Sequence, residues 1–581
     1  MPQLPQTPTK PRSVYQHMPY EKRLLNSSRN VSVLPESPKQ LVSFSSEESV
    51  SQITPLLYRP SATCPVGRTQ RSIFGPPSKI NIEHLFFGPN TMTEKLLMGM
   101  GRPFPPTPPD SENYVVDFDG IDDPAHPYNW KFSTKLFISI LVCSGTFIVS
   151  FTSAVFAPGT DQASREFGVS SEVGTLGTSL YVLGFAAGPM LWAPMSELKG
   201  RKWPLTIAIL GGGIFTIASA VAKDIQTLII CRFFAGMCGS SQLTVVPGVL
   251  SDLFDNTYRG TAIALYALTV FVGPFSAPFT GGFVVSSSLG WRWTLYIPSI
   301  LCFANGAISI LFLRETYAPC ILIEKAARLR HQTGNWGIHA KQERLEVDSR
   351  ALVKKYFTRP LRMLVTEPII LLVSMYMSFI YGLVYALLEA YQYVFESIHG
   401  MKPGVSGLPF VGLIIGQILA CSFILFQYVT YTKKMVEDKI VPVPEWRLRP
   451  ALLGAPVFAI GIFWFGWTGF TPAIHWAAPT VAGGFIGFGV LCVFFPCFIY
   501  LVDAYLPLLD YDRAASTVAA NIILRSLVAS GFPLFSKQMF QNMGVQWACT
   551  LLGCLAAVMI PIPFAFRIYG PWLRGKSKLF K

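Results

Sequence analysis

Residues 477–502 read AAPTVAGGFIGFGVLCVFFPCFIYLV and contain no Asp, Glu, Lys or Arg. A helix that crosses the hydrocarbon core of a bilayer, about 30 Å thick, needs roughly 20 consecutive apolar residues. The core of a soluble domain does not require uncharged runs of this length. The stretch therefore predicts a transmembrane helix.

Similar stretches recur along the chain. Of its 581 residues, 51% are hydrophobic and 14% are charged, whereas soluble domains average about 25% charged residues. A polar, basic interruption at residues 314–366 divides the apolar stretches into six and six, which predicts two six-helix halves. The predicted membrane segments are 134–156, 172–194, 203–222, 226–249, 260–285, 293–313, 367–389, 405–429, 449–470, 477–502, 514–536 and 546–568.

These segments predict an all-α membrane protein with five parts. Residues 1–130 are rich in Pro, Ser and Thr and lack a sustained apolar pattern, which is typical of a disordered tail. We expect a first bundle at 131–313, a central loop at 314–366, a second bundle at 367–568 and a basic C-terminal tail at 569–581.

The distribution of Lys and Arg predicts the orientation. If the N-terminus is cytosolic, the inner short loops and the C-terminal tail carry 26 Lys and Arg, counting Arg449 and Arg567 at the inner ends of two segments, and the outer loops carry five. Cytoplasmic loops of membrane proteins carry an excess of these residues. We therefore expect both termini and the central loop in the cytosol. The net charge of +14 is then explained by basic loops facing anionic lipid rather than by nucleic acid.

Several chemistries are disfavoured by the motifs. The cysteines contain no C-x-x-C pair, and the histidines lie in the tail, in loops or near segment ends, so we expect no metal and no cofactor. Residues 570–577 match the phosphate-loop pattern, but they follow a membrane segment instead of a strand. No paired Asp, His cluster or Ser–Lys dyad lies at mid-segment, so an intramembrane enzyme is also disfavoured.

Among the charged residues within the predicted membrane segments, we single out Arg232, Glu389 and Arg525 as candidate intramembrane charges. Such groups are costly in a bilayer and usually face a cavity or a partner. The alternative is a static structural pair that holds helices together.

The seventh segment carries a polar and aromatic stripe. Tyr381, Tyr385, Glu389 and Gln392 fall on one helical face. This pattern suits a ligand cavity, although ordinary helix packing would produce it too.

Two glycine-rich stretches predict close helix contacts. In the fifth segment, Gly273 and Gly281 share a smooth face with Ala277, and two prolines bend the helix. Between the second and third segments, residues 188–202 read GPMLWAPMSELKGRK. This short, charged turn is a constrained cytosolic corner, or simply a positive anchor.

Together these motifs resemble the drug:proton antiporter branch of the major facilitator superfamily, in its fungal twelve-helix form that exports drugs, toxins or polyamines. The resemblance runs from about Asn129 to the end. It rests on Gly188, Glu197, Gly200 and Arg201 in the turn, on residues 231–239 (CRFFAGMCG) in the fourth segment, and on Gly273, Pro274, Gly281 and Gly282 in the fifth.

The resemblance implies two bundles around a central cavity and alternating access driven by inward proton flow. It implies that Glu197 and Arg201 latch the cytosolic side and that the fifth helix closes the barrier between the halves. Arg232 would tune the protonation of a cavity acid. The first helix holds no acid, so Glu389 is the expected proton site.

We expect Tyr381, Tyr385, Gln392 and Phe498 to contact a small-molecule substrate. The expected protein is a monomer in the plasma membrane, with the vacuolar membrane as the alternative. A proton-coupled importer and a transport-dead sensor remain alternatives on the same fold.

Overall fold

The computed structural model describes residues 111–576, apart from 121, 256–257, 345–356, 439–443 and 506–510. Within these residues, eleven helices are long and apolar enough to cross a membrane, and a bent pair supplies a twelfth. Six spans precede the central loop and six follow it, which confirms the predicted twelve-helix fold. Of the predicted tail at residues 1–130, the part at 1–110 lies outside the described residues.

The helices are, in chain order, α1 (Phe132–Ala154), α2 (Thr160–Phe167), α3 (Ser171–Ala187), α4 (Pro189–Lys199), α5 (Lys202–Ala220), α6 (Ile225–Leu253), α7 (Arg259–Ser286), α8 (Trp293–Phe312), α9 (Ala318–Thr333), α10 (Arg359–Thr366), α11 (Pro368–Gln392), α12 (Pro403–Ser406), α13 (Phe410–Asp438), α14 (Arg449–Gly469), α15 (Ala477–Tyr505), α16 (Tyr511–Met543), α17 (Val545–Met559) and α18 (Pro561–Lys576). A π-helical turn at Tyr393–Ile398 extends α11. Two short strands are β1 (Val115–Val116) and β2 (His339–Ala340).

The second membrane span is the bent pair. Helices α3 and α4 meet at an angle of 41°. Pro189 begins α4 and Pro194 lies inside it. Proline lacks the N–H that would continue the hydrogen-bond ladder, so it bends or breaks a helix. The predicted segment 172–194 is therefore one span built from two helices.

The two halves meet mainly through two helix pairs. Helix α3 of the first half packs against α16 of the second, and α7 packs against α13. Within the first half, α3 and α6 approach closely because small residues line the contact. A Cβ atom on Gly236 would lie 2.0 Å from the carbonyl oxygen of Tyr181, a distance that no real side chain tolerates. The core therefore requires glycine there.

Residues 111–120 and 122–130, which precede the first membrane span, include a short strand that contacts the central loop. Strand β1 pairs in parallel with β2 of the central loop. Lys325 on α9 lies 2.9 Å from Asp119 and 3.4 Å from Asp123. We name this assembly of β1, β2, Asp119, Asp123 and Lys325 the tail clasp. A short strand and a few ion pairs hardly change the composition of a polar segment, so the sequence did not indicate them.

Asp123 is the most enclosed charge of the tail clasp. Its carboxylate accepts hydrogen bonds from the backbone N–H of Asp119 at 2.9 Å and of Ala125 at 2.8 Å. These donors, helped by Lys325, hold the pKa of Asp123 below its ordinary value of 3.8. A depressed carboxyl pKa stabilises the clasp at neutral pH, and the contribution is lost only as pH falls through that lowered pKa.

Candidate transport site

The guanidinium of Arg232 is fully buried on α6. It donates to three backbone carbonyls: Nε to Gly177 at 2.9 Å, and the two terminal nitrogens to Thr152 at 2.9 Å and Ser153 at 3.1 Å. Thr152 and Ser153 lie in the last turn of α1, where carbonyls lack intrahelical partners and carry the negative end of the helix dipole. Arg232 therefore caps α1 from within the first half.

Aromatic rings cover the rest of Arg232. Its guanidinium carbon lies 4.4 Å from the ring centre of Tyr181 and 5.6 Å from that of Phe156. No carboxylate pairs with Arg232 in the part of the chain that the structure describes. Burial without a carboxylate is tolerated because the carbonyls and the ring faces replace water around the cation.

Ser153 joins Arg232 to the second half. Its carbonyl accepts from Arg232, and its hydroxyl lies 3.0 Å from the hydroxyl of Tyr385 on α11. The hydroxyls of Tyr385 and Tyr381 are 3.5 Å apart. All three side chains are buried. Tyr385 of the stripe predicted on the seventh segment therefore faces the first half. Through Ser153, Arg232 is linked to Tyr385, one turn before Glu389 on α11, but Arg232 does not contact the carboxylate of Glu389.

An aromatic cluster fills the middle of the interface between the halves. Phe271 on α7 lies 6.0 Å from Tyr381 and 4.7 Å from Phe494, measured between ring centres. Phe494 stacks on Phe498 at 6.4 Å. Arg525 on α16 lies over Tyr381 at 4.5 Å and over Phe494 at 5.1 Å. This central cluster thus contains three of the predicted site residues.

Glu389 and Gln392 line a second feature, a cleft of about 240 Å³ between the halves that we name the Glu389 cleft. Asp161, Glu396 and Lys537 line the same cleft. The side chain of Glu389 is partly buried and has no hydrogen-bond or ion-pair partner among the described residues. The cleft therefore contains, between the two halves, a carboxylate that no described residue pairs with.

A polar bridge closes one wall of the Glu389 cleft. Lys537 on α16 lies 3.3 Å from Asp161 on α2 and donates to the hydroxyl of Ser171 at 2.8 Å. Ser171 in turn donates to Asp161 at 2.8 Å. The bridge joins the halves at the end of the bundle predicted to face outward.

At the opposite end, predicted to be cytosolic, Arg201 is the centre of a polar cluster within the first half. Its Nε lies 3.1 Å from Asp252 at the end of α6, and its guanidinium stacks on Tyr317 at 4.6 Å. Glu315 accepts from the backbone N–H of Arg201 at 2.8 Å and of Lys202 at 3.1 Å. These N–H groups begin α5, so Glu315 supplies the anionic cap that a helix N-terminus favours.

The motif residues around Arg201 have specific positions. Gly200 has φ of +86°, and a Cβ atom there would lie 2.2 Å from the carboxylate of Glu315. A Cβ atom on Gly188 would lie 1.6 Å from Ser240 Oγ. The carbonyl of Glu197 accepts from Gln342 of the central loop at 2.9 Å. The turn is therefore tied to α6, to the end of α8 and to the central loop.

The second half repeats the arrangement. Arg447, just before α14, pairs with Asp503 near the end of α15. In each half an Arg at the start of the third span pairs with an Asp at the end of the fourth. Arg447 also donates to the hydroxyl of Tyr428 at 3.2 Å. A Cβ atom on Gly260 of α7 would lie 2.3 Å from the Tyr428 ring, so this pair touches the first half.

The glycines of α7 serve two different contacts. A Cβ atom at Gly273 would lie 2.8 Å from the backbone nitrogen of Phe151 in α1, and one at Gly281 would lie 2.8 Å from the carbonyl oxygen of Val155, the residue that follows α1. A Cβ atom at Gly282 would instead lie 2.5 Å from the carbonyl of Pro403, in the second half. Pro274 lies inside α7 with Pro278. One helix thus packs within its own bundle and across the interface.

Sequence reasoning missed several residues of these sites. It did not find Asp161, Lys537, Phe271 and Phe494, nor the carboxylates of Glu315, Asp252 and Asp503. Asp503 carried a usable signal, because it stands at the same place in the second half as Asp252 does in the first. Phe271 and Phe494 carried no such signal, because the sequence does not distinguish a phenylalanine at the interface from one that faces lipid.

Residues 142–533 match the model of the family described as Major Facilitator Superfamily. The chain belongs to the Major Facilitator Superfamily. A solved major facilitator structure, the proton:xylose symporter XylE, aligns with a TM-score of 0.53, covering 74% of this chain and 96% of XylE at 15% identity. That likeness supports the fold alone.

Two fungal members of the superfamily cover most of this chain. The multidrug transporter TPO1_2 of Candida glabrata is 46% identical over 83% of this chain and 82% of its own length. The major facilitator superfamily multidrug transporter FLU1 of Candida albicans is 42% identical over 83% of this chain and 78% of its own. This major facilitator protein is accordingly an integral, multi-pass membrane transporter of small molecules.

Proposed function

We propose that this transporter exports amphipathic small molecules, and that inward proton flow drives the export by alternating access. The observation that carries the proposal is Glu389, a carboxylate without a partner in the described chain, lining a cleft between two halves. A group whose surroundings change as the halves move binds protons differently in the two states. That difference is what coupling requires.

The contacts suggest how the halves alternate. The Lys537–Asp161 bridge and the contact of Gly282 with Pro403 close the end near Glu389. At the other end, Arg201–Asp252 and Arg447–Asp503 brace each half. Arg232 would take part through Ser153 and Tyr385, because movement of α11 breaks the hydroxyl contact between them. Relatives named as multidrug transporters favour drugs and toxins as substrates over nutrients.

The direct test is gradient-driven transport. We expect inside-out vesicles containing the full chain to accumulate a drug when their interior is acidified, since that interior corresponds to the outside of the cell. Collapsing the gradient with a protonophore should return uptake to the level of vesicles lacking the protein. Uptake driven by the reverse gradient would identify an importer, and binding without any flux would identify a sensor.

We also propose that the protein lies in the plasma membrane with its central loop in the cytosol. The orientation is supported by the 26 to five bias in Lys and Arg. In a background whose native cysteines do not react, a cysteine at Lys402 should react in intact cells with an impermeant maleimide. A cysteine at Arg328 on α9 should react only after permeabilisation. Both positions are exposed. The reversed pattern would overturn the orientation, and labelling of neither in intact cells would place the protein in an internal membrane.

A further inference from the structure

Arg525 is the buried arginine whose charge nothing in the described chain satisfies. Its side chain is 3% exposed, and its Nε has no hydrogen-bond partner. By contrast, Arg232 donates to three carbonyls, and Arg201 pairs with Asp252. Leaving a cation buried and unpaired is costly, so proteins keep such groups where a ligand or partner completes them.

The geometry around Arg525 leaves its donors available. The guanidinium carbon lies over the rings of Tyr381 and Phe494, 4.5 and 5.1 Å from their centres. Ring faces stabilise a cation without accepting conventional hydrogen bonds from its N–H groups. These contacts therefore leave guanidinium donors that an acceptor can use.

Two neighbours on α16 also have unused polar atoms. The Oδ1 of Asn521 and the Oγ of Ser526 are buried and have no hydrogen-bond partner among the described residues. The amide nitrogen of Asn521 is held by Ser374 at 3.1 Å, so its orientation is fixed. Buried polar groups are almost always hydrogen-bonded. An unsatisfied donor and two unsatisfied neighbours within two turns of one helix thus mark an incomplete site.

The site lies where the halves meet. Phe271 of the first half contacts both Tyr381 and Phe494, and so covers the rings on which Arg525 stacks. Withdrawal of Phe271 as the halves separate would expose two aromatic faces and one guanidinium together. This step rests on the alternating access proposed above.

We propose that Arg525 binds the anionic group of a planar aromatic substrate whose ring system takes the place of Phe271 against Tyr381 and Phe494. A carboxylate accepts two parallel hydrogen bonds from a guanidinium, and an aromatic ring fits the exposed faces. A cationic substrate at the same place meets a fixed positive charge. In this proposal Arg525 selects substrates, whereas Glu389 remains the proposed proton carrier.

The test uses three probes of one shape: 2-naphthoate, 2-naphthamide and 2-naphthylmethylammonium. Their affinities for the purified full chain in lipid nanodiscs are measured by calorimetry at one pH. We expect naphthoate to bind about tenfold or more tighter than the ammonium probe, because charge-assisted hydrogen bonds replace repulsion. Arg525→Gln should remove this preference. Arg525→Lys should keep only part of it, since lysine lacks the planar fork.

Two controls separate recognition from folding. Arg362→Gln removes an exposed arginine from α10, far along the chain from the central cluster, and should leave all three affinities unchanged. Arg525→Gln should unfold at the same or a higher temperature than the parent, because it removes an unpaired buried charge. A large fall in its unfolding temperature would show that Arg525 is a structural cation and would overturn the proposal.

Equal affinity of the parent for naphthoate and the ammonium probe would also overturn it. Flux in vesicles keeps this inference distinct from the transport mechanism. Gradient-driven uptake of all three probes without preference would refute the role of Arg525 and leave proton-driven export standing. A naphthoate preference that depends on Arg525, without gradient-driven flux, would refute proton-driven export and leave the role of Arg525 standing.

Discussion

Replacing Glu389 with glutamine should abolish stimulation of transport by a proton gradient while substrate binding persists. Glutamine matches the size of the side chain and, like the protonated acid, both donates and accepts hydrogen bonds, but it cannot exchange a proton. Coupling between two ligands on one protein is typically worth about 1–3 kcal/mol, so the lost stimulation should be about 5- to 150-fold. The measurement is drug uptake into inside-out vesicles with matched amounts of protein, with and without the gradient.

Glu396→Gln is the matched control for Glu389→Gln. Glu396 lines the same cleft, but its carboxylate already accepts a hydrogen bond from Ser406 at 2.9 Å. We expect this variant to remain coupled. Arg232→Lys should slow transport without uncoupling it, because one ammonium cannot hold the three carbonyls around Arg232 in the same geometry. Full gradient stimulation in Glu389→Gln would remove Glu389 as the proton carrier.

Gly282→Leu should block transport by holding the halves apart at the end near Glu389. The added side chain would start 2.5 Å from the carbonyl of Pro403, a backbone atom that cannot rotate away. Overpacking costs about 1–3 kcal/mol, which shifts an equilibrium between closed and open forms by roughly 5- to 150-fold. Transport should fall accordingly, and a cysteine placed at Gln541 in the cleft should react faster with a soluble maleimide.

Gly531→Leu controls for the insertion of bulk into a membrane helix. It lies on α16, and a Cβ atom there meets nothing within 4 Å. We expect normal transport from this variant. Gly281→Leu would clash with α1 inside the first half instead, so it should lower transport without the faster labelling at residue 541. Normal transport by Gly282→Leu would show that the contact with Pro403 does not form in the working cycle.

The twelve spans could be predicted because the bilayer imposes a length and a composition that any sequence must display. Arg232, Glu389 and Arg525 could be singled out for the same reason, since charges in apolar runs are rare. The partners of Arg232 could not be predicted, because they are backbone carbonyls, and every residue type has one. Lys537 and Asp161 are 376 residues apart, so nothing short of the assembled halves indicates their pairing.

The central cluster shows the same limit. Tyr381 and Tyr385 are polar enough to stand out from an apolar helix, and the structure places both at the interface. Phe271 and Phe494 are equally buried there, yet their type is common on lipid-facing surfaces too. Which face of an apolar helix meets its partner depends on the packing of all twelve spans.

The tail clasp imposes an order on the biosynthesis of this protein. Val115 pairs with His339, so the ribosome must add 224 residues (339 minus 115) after the first strand before the second exists. At about 5–20 residues per second, the first strand waits on the order of ten to forty seconds. The six membrane spans of the first half are synthesised in that interval. The clasp can close only on a chain whose first half has already been synthesised, so its closure marks the completion of that half.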